Sequence, residues 1–310
     1  VLATADLTRD FNTGDGRVLR AVDAVSLRLA AGETLGVVGE SGCGKSTLAR
    51  LILKLLPATA GTVELLGTDV TRLDEGRMRP LRRTIQAVFQ DPMSSLNPRM
   101  RVAEIVAEPL RAIGTARRAI AARVHEILPL VGLPGDVLDR YPHAFSGGQR
   151  QRIAIARALA AEPRIVICDE ATSALDVSVQ AQILNLLAEL QARLSLSMIF
   201  ISHNLGAVRH VSQRVAVMYL GRFVETGSEA EVFSAPLHPY TAALLAAIPE
   251  PVLDQPRTAP LRGEIPSAAA RPTGCHFHPR CPKAQARCRG EDPEFREVAP
   301  GRGVRCHFPG

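Results

Sequence analysis

The sequence contains few aromatic residues. Phe, Trp and Tyr together make up 4% of its 310 residues, and Trp is absent. Proteins that bind single-stranded nucleic acid stack bases on aromatic side chains beside basic residues, and the sequence shows no such interleaving. We therefore expect no nucleic-acid partner. The net charge of +6 is compatible with a plain basic surface, with bound nucleotide phosphates or with an anionic membrane face.

Long apolar runs are absent as well. No stretch of the sequence approaches the ~18 consecutive apolar residues of a membrane span. Residues 1–10 lack the charged-then-apolar order of a signal peptide. We therefore expect a cytosolic protein whose thiols stay reduced. The chain begins with Val1 and not with Met, which indicates a trimmed or processed chain or a piece of a longer polypeptide.

The sequence also lacks internal repeats and low-complexity tracts, and its composition is that of a globular protein. Hydrophobic residues make up 46% and charged residues 22% of the chain, which is ordinary for folded domains. A chain of this length can bury a large core and form more than one domain.

Residues 39–47 match the phosphate-binding pattern G-x-x-x-x-G-K-[ST]. The apolar run Thr34–Val38 predicts a buried strand before this loop, and residues 48–56 predict a helix that Pro57 stops. In that context the glycines allow backbone N–H groups to surround phosphate oxygens at a helix N-terminus. The alternative is an ordinary Gly-rich turn at the start of a helix.

Two side chains of this loop have expected roles in nucleotide binding. Lys45 is placed to reach the β- and γ-phosphates, and the Ser46 hydroxyl is placed to bind Mg²⁺.

Carboxylates and a histidine follow two further predicted strands. The apolar run Arg164–Cys168 leads into Asp169 and Glu170, and the run 198–202 leads into His203. An acid at the carboxyl end of a parallel strand near a phosphate-binding loop is a candidate Mg²⁺ ligand, which is Asp169 here. Glu170 is then placed to deprotonate a water molecule. The alternatives are a solvent-facing acidic pair and a structural histidine.

Three weaker candidates complete the set. Gln90 follows the predicted strand 84–89 and could bind a metal-bound water, although a lone Gln is usually plain surface. Ser146 is a good N-cap for a helix from about 150 to 160, which could form a second phosphate site or a capped helix without a ligand. Phe11 is either a core residue or a platform for an adenine ring.

The remaining pattern predicts alternating strands and helices, and therefore a parallel α/β core with ligands at the carboxyl ends of the strands. Strands are expected within residues 1–38, at 61–67 and in a hairpin at 215–225, and helices within 101–145 and around 183–194. From about Pro249 periodicity fades and Pro, Arg and Gly increase, so we place a domain boundary near 235–255.

Four of the six cysteines lie in the C-terminal segment, at Cys275, Cys281, Cys288 and Cys306. In a cytosolic protein such a group indicates metal binding more than disulfides. The spacing matches no C-x2-C zinc finger, and four thiolates suit an iron–sulfur cluster or Zn²⁺. Free thiols are the third possibility.

Histidines accompany these cysteines, whereas the other two cysteines lie elsewhere. His276, His278 and His307 are possible ligands or plain surface histidines. Cys43 and Cys168 are expected to be buried and not to bind a metal.

Taken together, these motifs resemble the ATPase subunit of an ABC transporter over roughly residues 1–250. The motifs follow the order of that family: Gly39–Thr47 as Walker A, Gln90 as the Q-loop, Ser146–Gln149 as the ABC signature, Ile165–Asp169 with Glu170 as Walker B, Ser173–Asp176 as the D-loop and His203 as the switch histidine. Ala171 stands where Pro is common and Asn204 where Asp is common, and neither change removes a catalytic group.

A narrower resemblance is to the oligopeptide, dipeptide and nickel importers. Residues 90–100, the segment His238–Thr241 and the cysteine-bearing tail resemble that branch, and residues 148–152 are more similar to the second of its two ATPase subunits. Members of this branch carry an iron–sulfur cluster in a similar tail, so the resemblance favours a [4Fe–4S] cluster at the four cysteines, with Zn²⁺ as the alternative.

The resemblance implies a fold and a domain division. The fold is α/β, a P-loop NTPase of the ABC type with an antiparallel β subdomain, an inserted helical subdomain and a small Cys-containing extension. The expected domains are a nucleotide-binding domain at 1–248, with its helical subdomain at about 91–160, and an extension at 249–310, termed the C-terminal extension below.

The resemblance also implies the residues of the site. Catalysis is assigned to Glu170, His203, Lys45 and Gln90, and Mg²⁺ to Ser46, Gln90 and Asp169. ATP is expected to contact one chain through Phe11, Gly39, Ser41, Gly42, Cys43, Gly44, Lys45, Ser46 and Thr47, and the facing chain through Ser146, Gly147, Gly148, Gln149 and Asp176.

The implied function is ATP hydrolysis that drives solute import. The ATPase partner would be a homologous subunit or a fused half, arranged head to tail, at the cytoplasmic face of the cell membrane. Two transmembrane permease subunits and an extracytoplasmic solute-binding protein complete the expected assembly, and peptides are the expected solute. Nickel, glutathione or another small solute is the alternative.

Two rival functions belong to other classes. A DNA-repair or translation ABC ATPase needs a long coiled-coil insertion or a second ATPase unit, and neither is present. A regulatory or nucleic-acid-binding module built on the basic tail would not need intact Lys45, Asp169, Glu170 and His203.

Overall fold

The structure, a computed structural model, describes residues 1–14, 16–91, 95–247 and 263–310. Its strands are β1 (Leu2–Asn12), β2 (Val18–Leu29), β3 (Thr34–Val38), β4 (Ala60–Leu65), β5 (Thr68–Asp69), β6 (Ile85–Val88), β7 (Ile165–Asp169), β8 (Ser197–Ile201), β9 (Arg214–Tyr219), β10 (Arg222–Ser228), β11 (Arg296–Ala299) and β12 (Arg302–Val304).

Along the chain, the helices connect successive strands. They are α1 (Lys45–Ile52), α2 (Glu75–Met78), α3 (Val102–Ala112), α4 (Arg117–Leu130), α5 (Gly147–Ala160), α6 (Val177–Leu194), α7 (Leu205–Val211), α8 (Glu229–Ser234), α9 (Pro239–Ala246) and α10 (Ala286–Gly290). Short 3₁₀ turns occupy Arg79–Arg83, Gly135–Val137, Pro142–Ala144 and His278–Arg280.

The larger sheet has the strand order β11-β12-β10-β9-β3-β8-β7-β6. Five of its strands, β9, β3, β8, β7 and β6, are parallel to one another. β3, β7 and β8 are buried along their whole length, which explains their continuous apolar sequences. The carboxyl ends of these strands lie at one edge, so the segments that follow them are brought together as predicted.

The second sheet is antiparallel, with the order β2-β1-β4-β5. Leu7, Val22 and Leu65 from this sheet share one hydrophobic cluster with Leu48 and Ile52 of α1. Burial of these side chains holds the antiparallel sheet against the phosphate-binding helix. The predicted antiparallel β subdomain is therefore present.

A layer of helices covers the other side of the parallel sheet. Ile105 of α3, Ile127 and Leu128 of α4 and Ile153 of α5 are buried in the second hydrophobic cluster. The helical spacing in the sequence predicted this apolar face of α4. α4 ends at Leu130, one residue after Pro129.

Two predicted helix boundaries differ from the structure. The helix expected at 48–56 begins at Lys45 and ends at Ile52. Lys54 adopts a left-handed conformation, with φ 53°, and the Leu55 N–H returns to the Arg50 carbonyl at 2.8 Å. The chain therefore leaves the helix before Pro57. The helix expected from about Arg150 begins at Gly147, directly after its N-cap.

The C-terminal extension continues the larger sheet. β12 pairs antiparallel with β10, with Glu225 opposite Val304, and β11 pairs with β12. The sequence pattern did not predict these two strands. The predicted division between 248 and 249 lies outside the described residues.

Among the helices of the described ranges, none combines the length and the apolar character that crossing a membrane requires.

Candidate active site

A cavity of about 440 Å³ opens at the carboxyl edge of the parallel strands. Its volume is in the range of small-molecule sites. The described residues that line it are Phe11, Leu19, Ala21, Ser41, Gly42, Cys43, Gly44, Lys45, Ser46, Thr47, Gln90, Glu170, Leu220, Gly221 and Ala268. Ten of these residues are among the predicted site residues, so the structure brings most of that set to one place.

The loop between β3 and α1 has the backbone of a phosphate cradle. Gly44 has φ 109° and caps the N-terminus of α1. A Cβ at this position would overlap the Ala21 carbonyl oxygen, so only glycine fits between the loop and β2. The first N–H groups of α1 have no acceptors within the helix, and they point out of its N-terminus toward the cavity. Together with the helix dipole they favour an anion.

Lys45 lies over this loop. Its Nζ donates hydrogen bonds to the carbonyls of Gly39, at 2.7 Å, and Glu40, at 3.0 Å, and only 4% of the residue is exposed. The ammonium group is therefore held beside the cradle. Its third N–H is directed to Sγ of Cys43 at 3.7 Å, a weak acceptor that a phosphate oxygen can replace. Cys43 is buried beneath the same loop, and burial raises the pKa of its thiol.

Ser46 and Asp169, two of the predicted Mg²⁺ ligands, lie side by side. The Ser46 hydroxyl donates to Oδ1 of Asp169 at 2.9 Å. Burial raises the pKa of Asp169, and the hydrogen bond from Ser46 opposes that shift. A hydroxyl and a carboxylate side by side are hard oxygen ligands of the kind that Mg²⁺ prefers.

Glu170 lies at the end of β7, with its side chain directed toward the end of β8. Nδ1 of His203 is 3.4 Å from Oε1 of Glu170. Glu170 has φ 51°, an unusual value for a residue with a side chain, and its N–H donates to the Ile201 carbonyl at 2.9 Å. Strained backbone of this kind is common where a side chain must point into a functional site.

Gln90 and Phe11 line the cavity from two different parts of the chain. Gln90 follows β6 and lines the same cavity as Glu170. Phe11, near the end of β1, is partly exposed and carries the Arg9 guanidinium 4.6 Å from its ring centroid. Phe11 is thus partly buried and lies at the cavity wall, a position compatible with the adenine-platform alternative.

The residues assigned to the facing chain do not join this cavity. Ser146, Gly147 and Gln149 are exposed, and Asp176 is exposed at the N-terminus of α6. Ser146 accepts a hydrogen bond from the Gln149 N–H at 3.3 Å, and the Gln149 side chain accepts from the Ser146 N–H at 3.1 Å. This capping box fixes a second exposed helix N-terminus.

The four cysteines of the C-terminal extension converge. Cys275, Cys281, Cys288 and Cys306 line one cavity of about 10 Å³. Burial raises the pKa of the Cys275 thiol to about 11 and also raises those of Cys281 and Cys306. Within the described part of the chain, no group of three or more His, Cys, Asp or Glu side chains is spaced to hold a metal ion. The donor set suits a soft metal, whereas the side chains are not arranged as a formed site.

Two of the three nearby histidines, His278 and His307, line the cysteine cavity, and each also contacts a backbone carbonyl. His278 Nδ1 contacts the Cys275 carbonyl at 3.0 Å, and His307 Nε2 contacts the Glu291 carbonyl at 2.9 Å. His276 lines a neighbouring cavity, and burial lowers its pKa to about 4.

Sequence reasoning missed three residues next to the phosphate-binding loop. Arg280 forms an ion pair with Glu40, and the Tyr240 hydroxyl accepts the Glu40 N–H. Arg271 contacts Asp23 on β2. Their positions in the sequence carry no signal for these contacts, because the partners are roughly two hundred residues or more away.

Comparisons with known proteins agree with this geometry. The model of the family "ABC transporter" matches residues 22–173, and the model "Oligopeptide/dipeptide transporter, C-terminal region" matches residues 224–288. A peptide import ATP-binding protein of Brucella abortus (strain 2308) is 53% identical over 99% of this chain and 94% of its own length. The oligopeptide transport ATP-binding protein OppF of Escherichia coli (strain K12) is 52% identical over 93% of this chain and 90% of its own length.

A solved structure shares the architecture. The dimeric, post-hydrolysis ATP-binding cassette MJ0796 with ADP and Pi has a TM-score of 0.67 and 28% identity, and the match covers 74% of this chain and 99% of that chain. The phosphate-binding loop, the paired Ser46 and Asp169 and the extent of these similarities lead to one assignment. The chain belongs to the ABC transporter family of ATP-binding proteins, in the branch with the oligopeptide/dipeptide transporter C-terminal region, and it is an ATPase.

Proposed function

We propose that this chain hydrolyses ATP to drive the import of peptides through partner membrane subunits. The observation that carries the proposal is the single cavity in which the loop 39–47, Gln90 and Glu170 meet. The peptide as solute is supported by the relatives named for peptide import and oligopeptide transport and by the match to the C-terminal region model.

In the proposed nucleotide site, the phosphates lie at one end of the cavity and the adenine ring at the other. The backbone N–H groups of residues 41–47 and Lys45 bind the phosphates, and Phe11 stacks on the adenine ring. Ser46, Asp169 and Gln90 hold Mg²⁺, which supplies charge neutralisation at the phosphates. The 2.9 Å contact between Ser46 and Asp169 supports this ligand set.

Glu170 is the proposed base. Its carboxylate lines the cavity and can accept a proton from the attacking water. The imidazole of His203, 3.4 Å away, orients that carboxylate and can donate to a phosphate oxygen on the same side. Lys45 stabilises negative charge on the transferring phosphoryl group.

The second half of each site comes from a facing chain in this proposal. Ser146, Gly147, Gly148 and Gln149 with Asp176 lie on exposed surface away from the cavity. A head-to-tail partner, whether a homologous subunit or a fused half, would place its capped α5 N-terminus against the phosphates. ATP then stabilises the closed dimer because only that state offers both sets of contacts. The dimeric cassette MJ0796 supports such an arrangement.

The proposed assembly lies at the cytoplasmic face of the cell membrane. The region after Gln90 contacts two transmembrane permease subunits, and an extracytoplasmic solute-binding protein delivers the peptide. The proposed domains are the nucleotide-binding domain at 1–248, with a helical subdomain at about 91–160, and the C-terminal extension at 249–310.

We further propose that Cys275, Cys281, Cys288 and Cys306 hold a [4Fe–4S] cluster, with Zn²⁺ as the alternative metal. Their shared cavity and the soft-donor chemistry of four thiols support the proposal. Ligating thiols must lose their protons, and the raised pKa of Cys275 means that the metal must displace a firmly held proton.

The test is transport by the complete assembly. The chain is reconstituted in proteoliposomes with its permeases, its ATPase partner and its binding protein, and uptake of labelled peptides, Ni²⁺ and glutathione is measured. We expect ATP-dependent uptake of peptides alone. Uptake of Ni²⁺ or glutathione without peptide uptake would contradict the peptide assignment, and ATP hydrolysis without uptake of any of the three solutes would contradict peptide import.

A further inference from the structure

We propose that the C-terminal extension positions the ATP-binding site, with Arg280 fixing the phosphate-binding loop and Arg271 fixing the nucleoside side. This inference rests on the proposed nucleotide site. It assigns to the extension a direct part in nucleotide binding, in addition to any role of its cysteines.

Arg280 and Glu40 form a two-pronged ion pair. Nη1 of Arg280 lies 2.7 Å from Oε2 of Glu40, and Nη2 lies 2.9 Å from Oε1. The Arg280 side chain is 4% exposed and the Glu40 side chain 24% exposed. A bidentate pair of this kind fixes direction as well as distance, and shielding from water strengthens it. The pair joins residues separated by 240 positions, so it ties the extension to the first turn of the loop.

Glu40 is held at its backbone too. Its N–H donates to the Tyr240 hydroxyl at 2.9 Å, and its carbonyl accepts from Nζ of Lys45 at 3.0 Å. Tyr240 is fully buried and packs against Phe277 of the extension, with ring centroids 5.4 Å apart. The side chain, amide and carbonyl of Glu40 are therefore all fixed, and Arg280 supplies the contact that comes from the extension.

The position of Glu40 determines the position of Lys45. Both carbonyls that hold the Lys45 ammonium belong to Gly39 and Glu40. If Glu40 moves, the ammonium and the adjoining N–H groups lose their common orientation. The phosphates would then have to order the loop on binding, which reduces affinity.

A second contact lies on the nucleoside side of the cavity. Arg271 donates to Asp23 and to the Arg20 carbonyl on β2, and the Asp23 N–H donates to the Gly221 carbonyl at 2.9 Å. Ala268, three residues before Arg271, lines the cavity together with Gly221. Arg271 therefore holds one wall of the nucleoside end together with Arg222, which also pairs with Asp23. This wall adjoins the phosphate-binding loop, because the Gly221 N–H donates to the Cys43 carbonyl at 2.8 Å.

These two arginines are positioning residues with different expected signatures. The full-length chain is titrated with a fluorescent ATP analogue and Mg²⁺, and inorganic tripolyphosphate is used as a competitor that has no nucleoside. We expect Arg280→Ala to weaken binding of both compounds about tenfold, because a charged hydrogen-bonded pair is lost. We expect Arg271→Ala to weaken binding of the ATP analogue more than binding of tripolyphosphate, because Arg271 contacts the wall of the nucleoside end. A purely structural role would weaken both compounds equally in both variants.

Arg287→Ala is the matched control. Arg287 also lies in the extension and pairs with Glu291 at 2.7 Å, but its side chain is 58% exposed. We expect binding within about twofold of the unchanged chain. If Arg280→Ala does not fold, Arg280→Lys and Glu40→Gln carry the test, since each removes the two-pronged geometry with a small change in volume.

Loss of the positioning role and loss of the nucleotide site itself give different binding results. Unchanged affinity in folded Arg280 and Glu40 variants would overturn the positioning role, while loss of binding in Lys45→Ala would still support the nucleotide site. Full binding by Lys45→Ala would instead remove the proposed site itself. A double variant, Glu40→Gln with Arg280→Ala, should bind no more weakly than Arg280→Ala alone, and additive losses would contradict action through the pair.

Discussion

Nδ1 of His203 lies 3.4 Å from Oε1 of Glu170, at the ends of the adjacent parallel strands β8 and β7. The residues between them, 171–202, contain α6 and β8, so the contact depends on the right-handed return of the chain to the same sheet. This pair brings the proposed base and its orienting imidazole to one edge of the cavity.

Glu170→Gln should abolish turnover and leave nucleotide binding intact. Gln has nearly the same shape but cannot accept the proton of the attacking water, whereas Lys45 and the loop remain. We expect ATP hydrolysis to fall at least about a hundredfold, and the variant should still dimerise when MgATP is added. Steady-state phosphate release and light scattering measure the two properties. Substantial hydrolysis by this variant would remove Glu170 as the base.

Asp169→Asn should weaken the response to Mg²⁺. The change leaves the Ser46 hydroxyl without its carboxylate acceptor and removes the negative charge that attracts the cation. We expect the Mg²⁺ concentration for half-maximal hydrolysis to rise at least about tenfold. Asp139→Asn is the control, because the Asp139 side chain is 86% exposed and pairs with the exposed Arg101. Equal Mg²⁺ curves for the two variants would argue against the ligand set.

Much of this site could be predicted from the sequence because its residues follow strands directly. Asp169, His203 and Gln90 each lie at or just past the end of a strand whose apolar run is plain, and parallel strands place such residues at one edge. The loop 39–47 carries its own glycine pattern. Local patterns of this kind need no knowledge of distant contacts.

The parts that sequence could not predict depend on long-range packing. Glu40 and Arg280 are each ordinary charged residues until the extension folds back on the loop. The left-handed backbone of Glu170 is imposed by its neighbours, and the addition of β12 to β10 involves a strand of only three residues. None of these features leaves a periodic signal.

Ser146→Ala should show whether Ser146 only stabilises its own helix or also contacts nucleotide bound by a facing chain. Loss of the cap leaves the Gln149 N–H without its acceptor and should lower the free energy of unfolding by about 1 kcal/mol. If Ser146 also contacts nucleotide on a facing chain, hydrolysis should fall far more than stability, and nucleotide affinity of the single chain should not change. Thermal unfolding, phosphate release and titration of the monomer distinguish these effects. Reduced binding by the monomer would contradict a role in the facing site.

The metal content of the extension follows from the four converging cysteines. Protein purified without oxygen should contain about four iron and four sulfide per chain. Cys288→Ser should remove most of this iron, because it takes away one of the four thiols at the shared cavity. Cys168→Ala, in β7, is the control and should retain it. Zinc without sulfide would identify a structural zinc site instead, and absence of both metals would refute the cofactor proposal.

Acidification should destabilise the chain through His238, which caps α9. Its Nδ1 accepts the Tyr240 N–H at 3.0 Å, so the ring must be neutral, and burial lowers its pKa from 6.5 to about 3. The unfolded chain therefore binds a proton between these values that the folded chain does not. Its contribution to stability is complete above about pH 6.5 and is lost as pH falls toward 3, at up to about 1.4 kcal/mol per pH unit.

His238→Asn provides the comparison, since an Asn side chain can still accept the Tyr240 N–H but does not titrate. We expect chemical unfolding between pH 6 and about 4.5 to show a slope smaller by about 1.4 kcal/mol per unit in this variant. Some slope should remain, because burial also lowers the pKa of His276 to about 4. His125→Asn, a change at an exposed position of α4, should keep the original slope. If His238→Asn keeps it too, His238 is not the group that titrates.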